Sequence, residues 1–553
     1  MKKIDLLIGI IALFAFLLLL AELSSLFAAH AEAFRAMNIA ILFLFILDVG
    51  LRFFLSKDKQ KHFKENWFDF IVFIPLIRFA PGIEQTAFFV ILWQLVIILM
   101  LVSRLRRANK LVTLLSLKPA QLMVTSFSFA IGMGAILLML PLASASGEKT
   151  SLVDALFTAT SATCVTGLIV KDTVSHFSFF GQAVILFLIQ MGGLGIMTFS
   201  VSLALLLRKR MEMQRQVVMQ DVLDQDTLFN VKDLIVFIVK MTLAIELIGA
   251  IVLFFLWQGR FESKLACAYY ALFHSVSAFC NAGFSTFTDS LMRFSGDIWT
   301  NITVMALIIL GGLGFTVVKD LFDSWGKKKA VRLRVQTKIV LIVTFLLMVA
   351  GAIGFYLLEL HHSLAGLGTK DKILVSFFQS TTSRTAGFNT CDISSLSSAT
   401  LFMIMILMFI GGSPGSTAGG IKTTTVAVLA ATVVSGFRQK DESEIYRRTI
   451  PFEVVRKAFS VFLISLFIVA AFFLLLLYVD QEKFSAVLFE TVSAFGTVGL
   501  STGATALLSQ KGKIVVTLLM FIGRLGPLTI TYAFMQPRRP PRYTYAEERV
   551  MIG

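Results

Sequence analysis

The sequence predicts an all-α polytopic membrane protein, and three observations predict it. Of its 553 residues, 57% are apolar and 15% charged, with a mean hydropathy of +0.83, against about 25% charged in soluble domains. Apolar stretches of the roughly 20 residues that cross a bilayer recur about twelve times. Beyond residue 118 the chain repeats one plan, a long apolar helix, a short amphipathic segment ending in glycine, and a second long helix, four times over. A soluble enzyme is excluded. The four cysteines form no CxxC pair and the six histidines no HExxH, so neither a disulfide framework nor zinc chemistry is expected.

In order, apolar runs at 6–20, 37–55, 66–80 and 85–103 predict about four transmembrane helices in an N-terminal domain, 1–117. Spans then follow at 121–143, 181–207, 231–257, 299–318, 335–359, 399–437 with an interruption, 453–478 and 512–534. The excess of Lys and Arg (50 against 34 Asp and Glu) gathers in clusters at 104–107, 208–210, 327–334, 447–448 and 538–542. These fall on one side of the membrane if each unit between clusters crosses twice, which puts both termini in the cytoplasm. That placement accounts for the net charge of +16 without nucleic acid as a partner.

The repeats span 118–225, 226–330, 331–445 and 446–553, and align on their turns. Phe157, Phe273, Phe377 and Phe489 each precede a glycine by ten residues: Gly167, Gly283, Gly387 and Gly499. Ser161, Ser277, Thr381 and Ser493 stand six before it, and Leu168, Phe284, Phe388 and Leu500 directly after. The second helices also match, at Gly192-Gly193-Leu-Gly195, Gly311-Gly312-Leu-Gly314, Gly411-Gly412 with Gly415, and Gly523-Arg524-Leu-Gly526.

A segment of about ten residues cannot span, so each should be a re-entrant half-helix, tolerated at membrane depth where it lines water or packs in protein. Two crossings per unit keep the four repeats parallel, able to close around a central pore as M1–P–M2 units. Their partly negative C-terminal ends then face a central cavity and favour a cation there. Glycine, free to take positive φ, turns carbonyls toward the axis, and converging carbonyls replace a cation's hydration shell. The expected filter is Val165, Thr166 and Gly167; Asn281, Ala282 and Gly283; Thr385, Ala386 and Gly387; Thr497, Val498 and Gly499, holding a cation through backbone carbonyls. Small residues also let helices pack closely. This alternative explains the second-helix glycines as well as a functional role does, but not the short segments.

Thr382-Ser-Arg-Thr-Ala-Gly-Phe388, Gly411-Gly-Ser-Pro-Gly-Ser-Thr-Ala-Gly-Gly-Ile-Lys422 and the C-terminal Ala546–Gly553 carry a family resemblance. With one glycine per filter strand, the chain from 118 onward resembles the Trk/Ktr/HKT superfamily of potassium transporter membrane subunits, the Ktr type most of all. The resemblance makes the cation held by the filter carbonyls potassium, and implies potassium uptake across the plasma membrane. It also implies a homodimer and a separate cytoplasmic ring of RCK nucleotide-binding subunits. Glycine rather than serine at 167 implies potassium over sodium, and sodium enters as a coupling or activating ion. Membrane lipid is a further partner, and no organic cofactor is expected.

One Pro and five Gly in Gly411–Gly420 are incompatible with a regular helix, so this stretch should be a loop lining a cavity. The resemblance makes it a gate beneath the filter, comprising Gly411, Gly412, Ser413, Pro414, Gly415, Ser416, Thr417, Ala418, Gly419 and Gly420, together with Arg524. Arg524 lies roughly 17–21 Å along a helix from Lys513 and from Arg538, too deep to snorkel, and an intramembrane Arg is a functional candidate. It either faces the pore against the loop or binds buried carbonyls between helices. Arg384 is read as bracing the filter through carbonyls at the half-helix end, Lys422 as capping the helix after the loop or snorkelling.

The N-terminal domain resembles a voltage-sensor-like domain, yet no Arg lies between Gln94 and Ser103, where a working sensor spreads several. A structural or regulatory appendage is expected. Other readings of the whole are a sodium-permeable member of the superfamily and a non-conducting membrane signalling protein.

Overall fold

The computed structural model describes residues 119–195, 231–325, 333–481 and 483–534, together with Glu548 and a few positions between 43 and 60. The expected N-terminal spans and most of the basic clusters lie outside the described residues. The chain divides into two compact units, Met1–Lys118 and Pro119–Gly553, and the described residues of the second are mainly helical, in four copies of one plan.

Repeat 1 contains α1 (Pro119–Leu138), α2 (Leu152–Thr163) and α3 (Phe179–Leu194). Repeat 2 contains α4 (Val231–Trp257), α5 (Lys264–Phe279), α6 (Ile298–Gly312) and α7 (Phe315–Trp325). Repeat 3 runs through α8 (Val335–Glu359), α9 (Thr369–Thr382), α10 (Ser398–Phe409) and α11 (Thr423–Phe437). Repeat 4 comprises α12 (Phe452–Val479), α13 (Phe484–Gly496), α14 (Gln510–Leu525) and α15 (Pro527–Phe534). A two-stranded hairpin, Glu444–Ile445 against Arg448–Thr449, joins repeats 3 and 4.

Among the described residues, four helices are long and apolar enough to cross a membrane, and they are the first helix of each repeat: Ala120–Leu138, Ile235–Trp257, Val335–Glu359 and Phe452–Val479. The half-helices α2, α5, α9 and α13 hold 12, 16, 14 and 13 residues, about 18–24 Å at 1.5 Å per residue, short of a bilayer's roughly 30 Å. Each is pinned against the first helix of its own repeat. In repeats 2 and 3 the pin is the same: Ser275 Oγ donates to Glu246 O (2.6 Å) and Ser380 Oγ to Met348 O (2.7 Å). A glycine one turn on, Gly249 or Gly351, leaves room for that hydroxyl.

The second helices depart from expectation. Only the third was expected to break, and it does, α10 ending at Phe409 and α11 beginning at Thr423. The others also end at or just before their aligned glycine, where Gly195, Gly314 and Gly526 have φ of 78°, 93° and 82°, a left-handed region that favours glycine and ends a right-handed helix. In repeat 2 the two pieces meet at 101°. The upper pieces all begin with a polar cap, Ser178, Asp297, Ser397 or Ser509, whose side chain accepts from the N–H three residues on. Such a cap contributes about 1 kcal/mol, and its position fixes where each helix enters.

Candidate functional site

The four segments after the half-helices come together in one ring. A Cβ placed on Gly167 would strike the carbonyl oxygen of Ala282, on Gly283 that of Ala386, on Gly387 that of Val498, and on Gly499 that of Thr166. Each glycine thus abuts the carbonyl before the next repeat's glycine, and the fourth returns to the first. The glycines have φ of 89°, 68°, 81° and 93°. Two residues earlier Val165, Asn281, Thr385 and Thr497 are also left-handed, at 57°, 59°, 81° and 50°, a conformation uncommon outside glycine. Left-handed residues at alternate positions let the carbonyls of a short strand turn to one side. The second left-handed position had no consistent sequence signal, because Asn alone of the four residue types adopts it readily and Val and Thr ordinarily avoid it.

Half-helix hydroxyls secure the strands. Ser161 and Ser493 Oγ accept from Gly167 and Gly499 N–H at 3.1 and 3.2 Å, while Ser277 and Thr382 donate to Phe284 and Phe388 O at 2.7 and 2.8 Å. Repeat 3 corrects the alignment read from sequence. Thr381 donates back to Phe377 O and Phe377 is half-buried, whereas Thr382 and the fully buried Phe378 take the places of Ser161 and Phe157. Repeat 3 has one residue fewer between these two positions and its glycine, and one residue rotates a helical side chain by about 100°. Leu168, Phe284, Phe388 and Leu500 are buried behind the ring.

Beneath the ring lies the loop between α10 and α11. Its neck is closed: Ile421 N–H donates to Phe409 O (3.2 Å) and Thr423 N–H to Gly412 O (3.0 Å). Its tip is seated on repeat 2, where Ser413 and Thr417 N–H donate to Gly312 and Gly311 O (3.1 and 3.3 Å), and Phe315 N–H to Gly415 O (2.9 Å). Thr417 Oγ1 donates to Phe279 O, the end of half-helix α5, at 3.3 Å. On the other flank Gly419 leaves no room for a Cβ against Thr497 Oγ1. Within the loop, Gly411, Gly412, Ser413, Thr417, Ala418 and Gly419 are buried, Pro414, Ser416 and Gly420 half-buried and Gly415 exposed.

Arg524 joins this loop to a different repeat. Its guanidinium donates to Thr417 O on the loop and to Gly192 O on α3. Both alternatives read from sequence, contact with the loop and capture of buried carbonyls, describe parts of one arrangement. Lys422 Nζ donates to Ala418 O (2.8 Å), bracing the loop from within. Arg384 differs from expectation: its Nη1 donates to Thr344 O on the first helix of repeat 3 (3.3 Å), not to the end of its half-helix. The second-helix glycines sit against half-helix ends, where a Cβ on Gly192, Gly311 or Gly523 would strike the carbonyl of Thr163, Phe279 or Phe495.

Three acids were not singled out in the sequence. Glu490, fully buried in α13, accepts from Ser501 Oγ (2.8 Å), Thr502 N–H (2.9 Å), Thr502 Oγ1 (3.1 Å) and Thr505 Oγ1, clasping the chain that leaves the ring segment of repeat 4. Glu246 on α4 accepts from Gln190 Nε2 (3.2 Å) of repeat 1 and from Cys280 Sγ (3.7 Å) at the base of the ring segment of repeat 2. Asp154 pairs with Lys513 Nζ at 2.7 Å, tying repeat 1 to repeat 4. No single-sequence pattern says which acid meets which donors. In the loop after the ring segment of repeat 2, burial would raise the Asp289 carboxyl, but hydrogen bonds and the charge of Arg293 outweigh it and hold it below its ordinary value. Glu490→Ala leaves several donors orphaned and is expected to cost about 3 kcal/mol or more. It should be read as a lower melting temperature of the solubilised protein, and an unchanged melting point would remove the clasp from this account.

The chain matches the TrkH family, described as cation transport protein, over residues 85–539. The Ktr system potassium uptake protein B of Bacillus subtilis is 40% identical over 449 residues, 80% of this chain and 99% of that protein. Its namesake from Vibrio alginolyticus is 40% identical over 435 residues, covering 78% and 94%. The potassium/sodium uptake protein NtpJ of Enterococcus hirae is 38% identical over 444 residues, covering 79% and 98%. The solved structure of the potassium transporter TrkH from Vibrio parahaemolyticus has a TM-score of 0.61 at 18% identity, covering 91% of this chain and 97% of that one, a likeness of fold. These are transporters rather than enzymes, and the apolar first helices mark an integral membrane protein. The chain is a member of the TrkH cation transport family, a membrane subunit of the Trk/Ktr superfamily.

Proposed function

We propose that the chain takes up potassium across the plasma membrane through the ring formed by Val165–Gly167, Asn281–Gly283, Thr385–Gly387 and Thr497–Gly499. The observation that carries this reading is the cyclic fit of each glycine against its neighbour's carbonyl, which surrounds one axis with backbone oxygens. Such oxygens replace water around a dehydrated cation, and four half-helix C-termini lower its energy further. Loop 411–420, held by Arg524, closes the path beneath. Both termini are cytoplasmic, the chain pairs as a homodimer, and a separate RCK-type nucleotide-binding ring displaces the loop. The names of the Bacillus and Vibrio relatives, potassium uptake proteins, support the ion assigned.

A second reading admits sodium, as a permeating or coupling ion, because the Enterococcus relative is named for both ions. Potassium uptake in cells lacking their own importers separates the two. Wild type is expected to rescue growth at low potassium, and Gly283→Ser, at matched expression, to lose rescue or shift toward sodium. Failure of wild type even with an added RCK subunit would favour the sodium reading.

A further inference from the structure

Behind filter strand 3, two side chains each carry a buried polar atom without a partner, Arg384 Nε and Thr344 Oγ1. Both line one cavity of about 20 Å³, whose wall also includes Thr381, Met348, Gly312 of repeat 2 and Gly412 of the loop. Arg384 is 9% exposed and Thr344 8%. Arg384 stands directly before Thr385, the left-handed residue that starts the filter strand. An orphaned guanidinium N–H and an orphaned hydroxyl facing one small void are an unfinished hydrogen-bond network. The volume exceeds the roughly 10–15 Å³ that one water occupies, and two polar partners suffice to hold it.

We propose that this cavity is a site for one ordered water, which accepts from Arg384 Nε–H and donates to Thr344 Oγ1, and that Arg384 acts through it as a positioning residue for filter strand 3. Water is favoured over a small anion by the local field. Arg384 follows the C-cap of half-helix α9, Ser383, so the negative end of that helix already offsets the guanidinium and repels an anion. The water ties the strand to the first helix of its repeat, and because Gly412 forms part of the wall, the site senses where the loop lies. The inference rests on reading Thr385–Gly387 as an ion-lining strand.

The test uses the full chain in lipid nanodiscs and proteoliposomes. Thr344→Val keeps the shape and removes the hydroxyl, while Thr344→Ser keeps the hydroxyl. A map that resolves ordered solvent is expected to show density in the cavity of wild type and Thr344→Ser, and none in Thr344→Val. The potassium-to-sodium flux ratio should fall about fivefold in Thr344→Val, the equivalent of one net hydrogen bond, and stay at the wild-type value in Thr344→Ser. An empty wild-type cavity, or a wild-type ratio in Thr344→Val, overturns the proposal. So does an anomalous signal there after bromide exchange, which identifies an anion. Failure of the filter reading would look different: Gly283→Ser would leave ion preference untouched while the cavity density persisted.

Discussion

Gly499→Ala is expected to lower potassium uptake by about 100-fold or more while leaving the protein in the membrane at wild-type abundance. Two effects combine. At φ of 93° an L-residue is strained by about 1–2 kcal/mol. Its methyl group would also occupy the position of the Thr166 carbonyl oxygen, which is backbone and cannot rotate aside as a side chain would. The oxygen must turn out of the ring, and one ion ligand goes with it. Because the fit is cyclic, Gly167→Ala and Gly387→Ala should lose as much. Uptake assays on the three variants check this, and one variant with wild-type flux would mean that its strand does not border the path.

Arg524→Ala is expected to act in the opposite direction, raising flux about tenfold or more when the chain is expressed without a regulatory partner. The guanidinium holds the loop through Thr417 O and anchors itself on Gly192 O. Hydrogen bonds to charged groups contribute about 1.5–3 kcal/mol each, and removing both favours the displaced loop. The remaining seats on Gly311, Gly312 and Phe279 limit the gain. Arg524→Lys, a charge without the planar fork, should fall between. Rubidium influx at matched expression measures the series, and unchanged or lower flux in Arg524→Ala would sink the role assigned to this contact.

How much of this was legible in the sequence depends on the kind of signal. The ring glycines were, since a glycine after each short amphipathic segment reports a backbone need that no other residue meets as cheaply. So was the loop, because a proline and five glycines in ten residues leave no helix to argue about. The breaks at Gly195, Gly314 and Gly526 were not, because a single glycine in an apolar run costs a helix only about 1 kcal/mol and reads as tolerable. The left-handed Val165 and Thr497 were invisible for the opposite reason: their own preferences oppose the conformation, and only tertiary contacts impose it. In repeat 3, Phe377 and Phe378 are adjacent, as are Thr381 and Thr382, so a pattern of residue types fits both registers. Only the packing distinguishes them.

The closed neck of the loop has a mechanical meaning. Phe409 and Ile421, twelve positions apart along the chain, are joined by a backbone hydrogen bond, so the excursion leaves the helical rod and returns to nearly the same point. The rod therefore carries no load through the excursion. The loop could swing aside by breaking its contacts with Gly311, Gly312, Phe279, Phe315 and Arg524 while every hydrogen bond within α10 and α11 stays intact. Such a part behaves as a latch hung on a rigid post rather than as a hinge within it. On the proposed gating reading, the frequency of opening would then be set by the latch's own bonds.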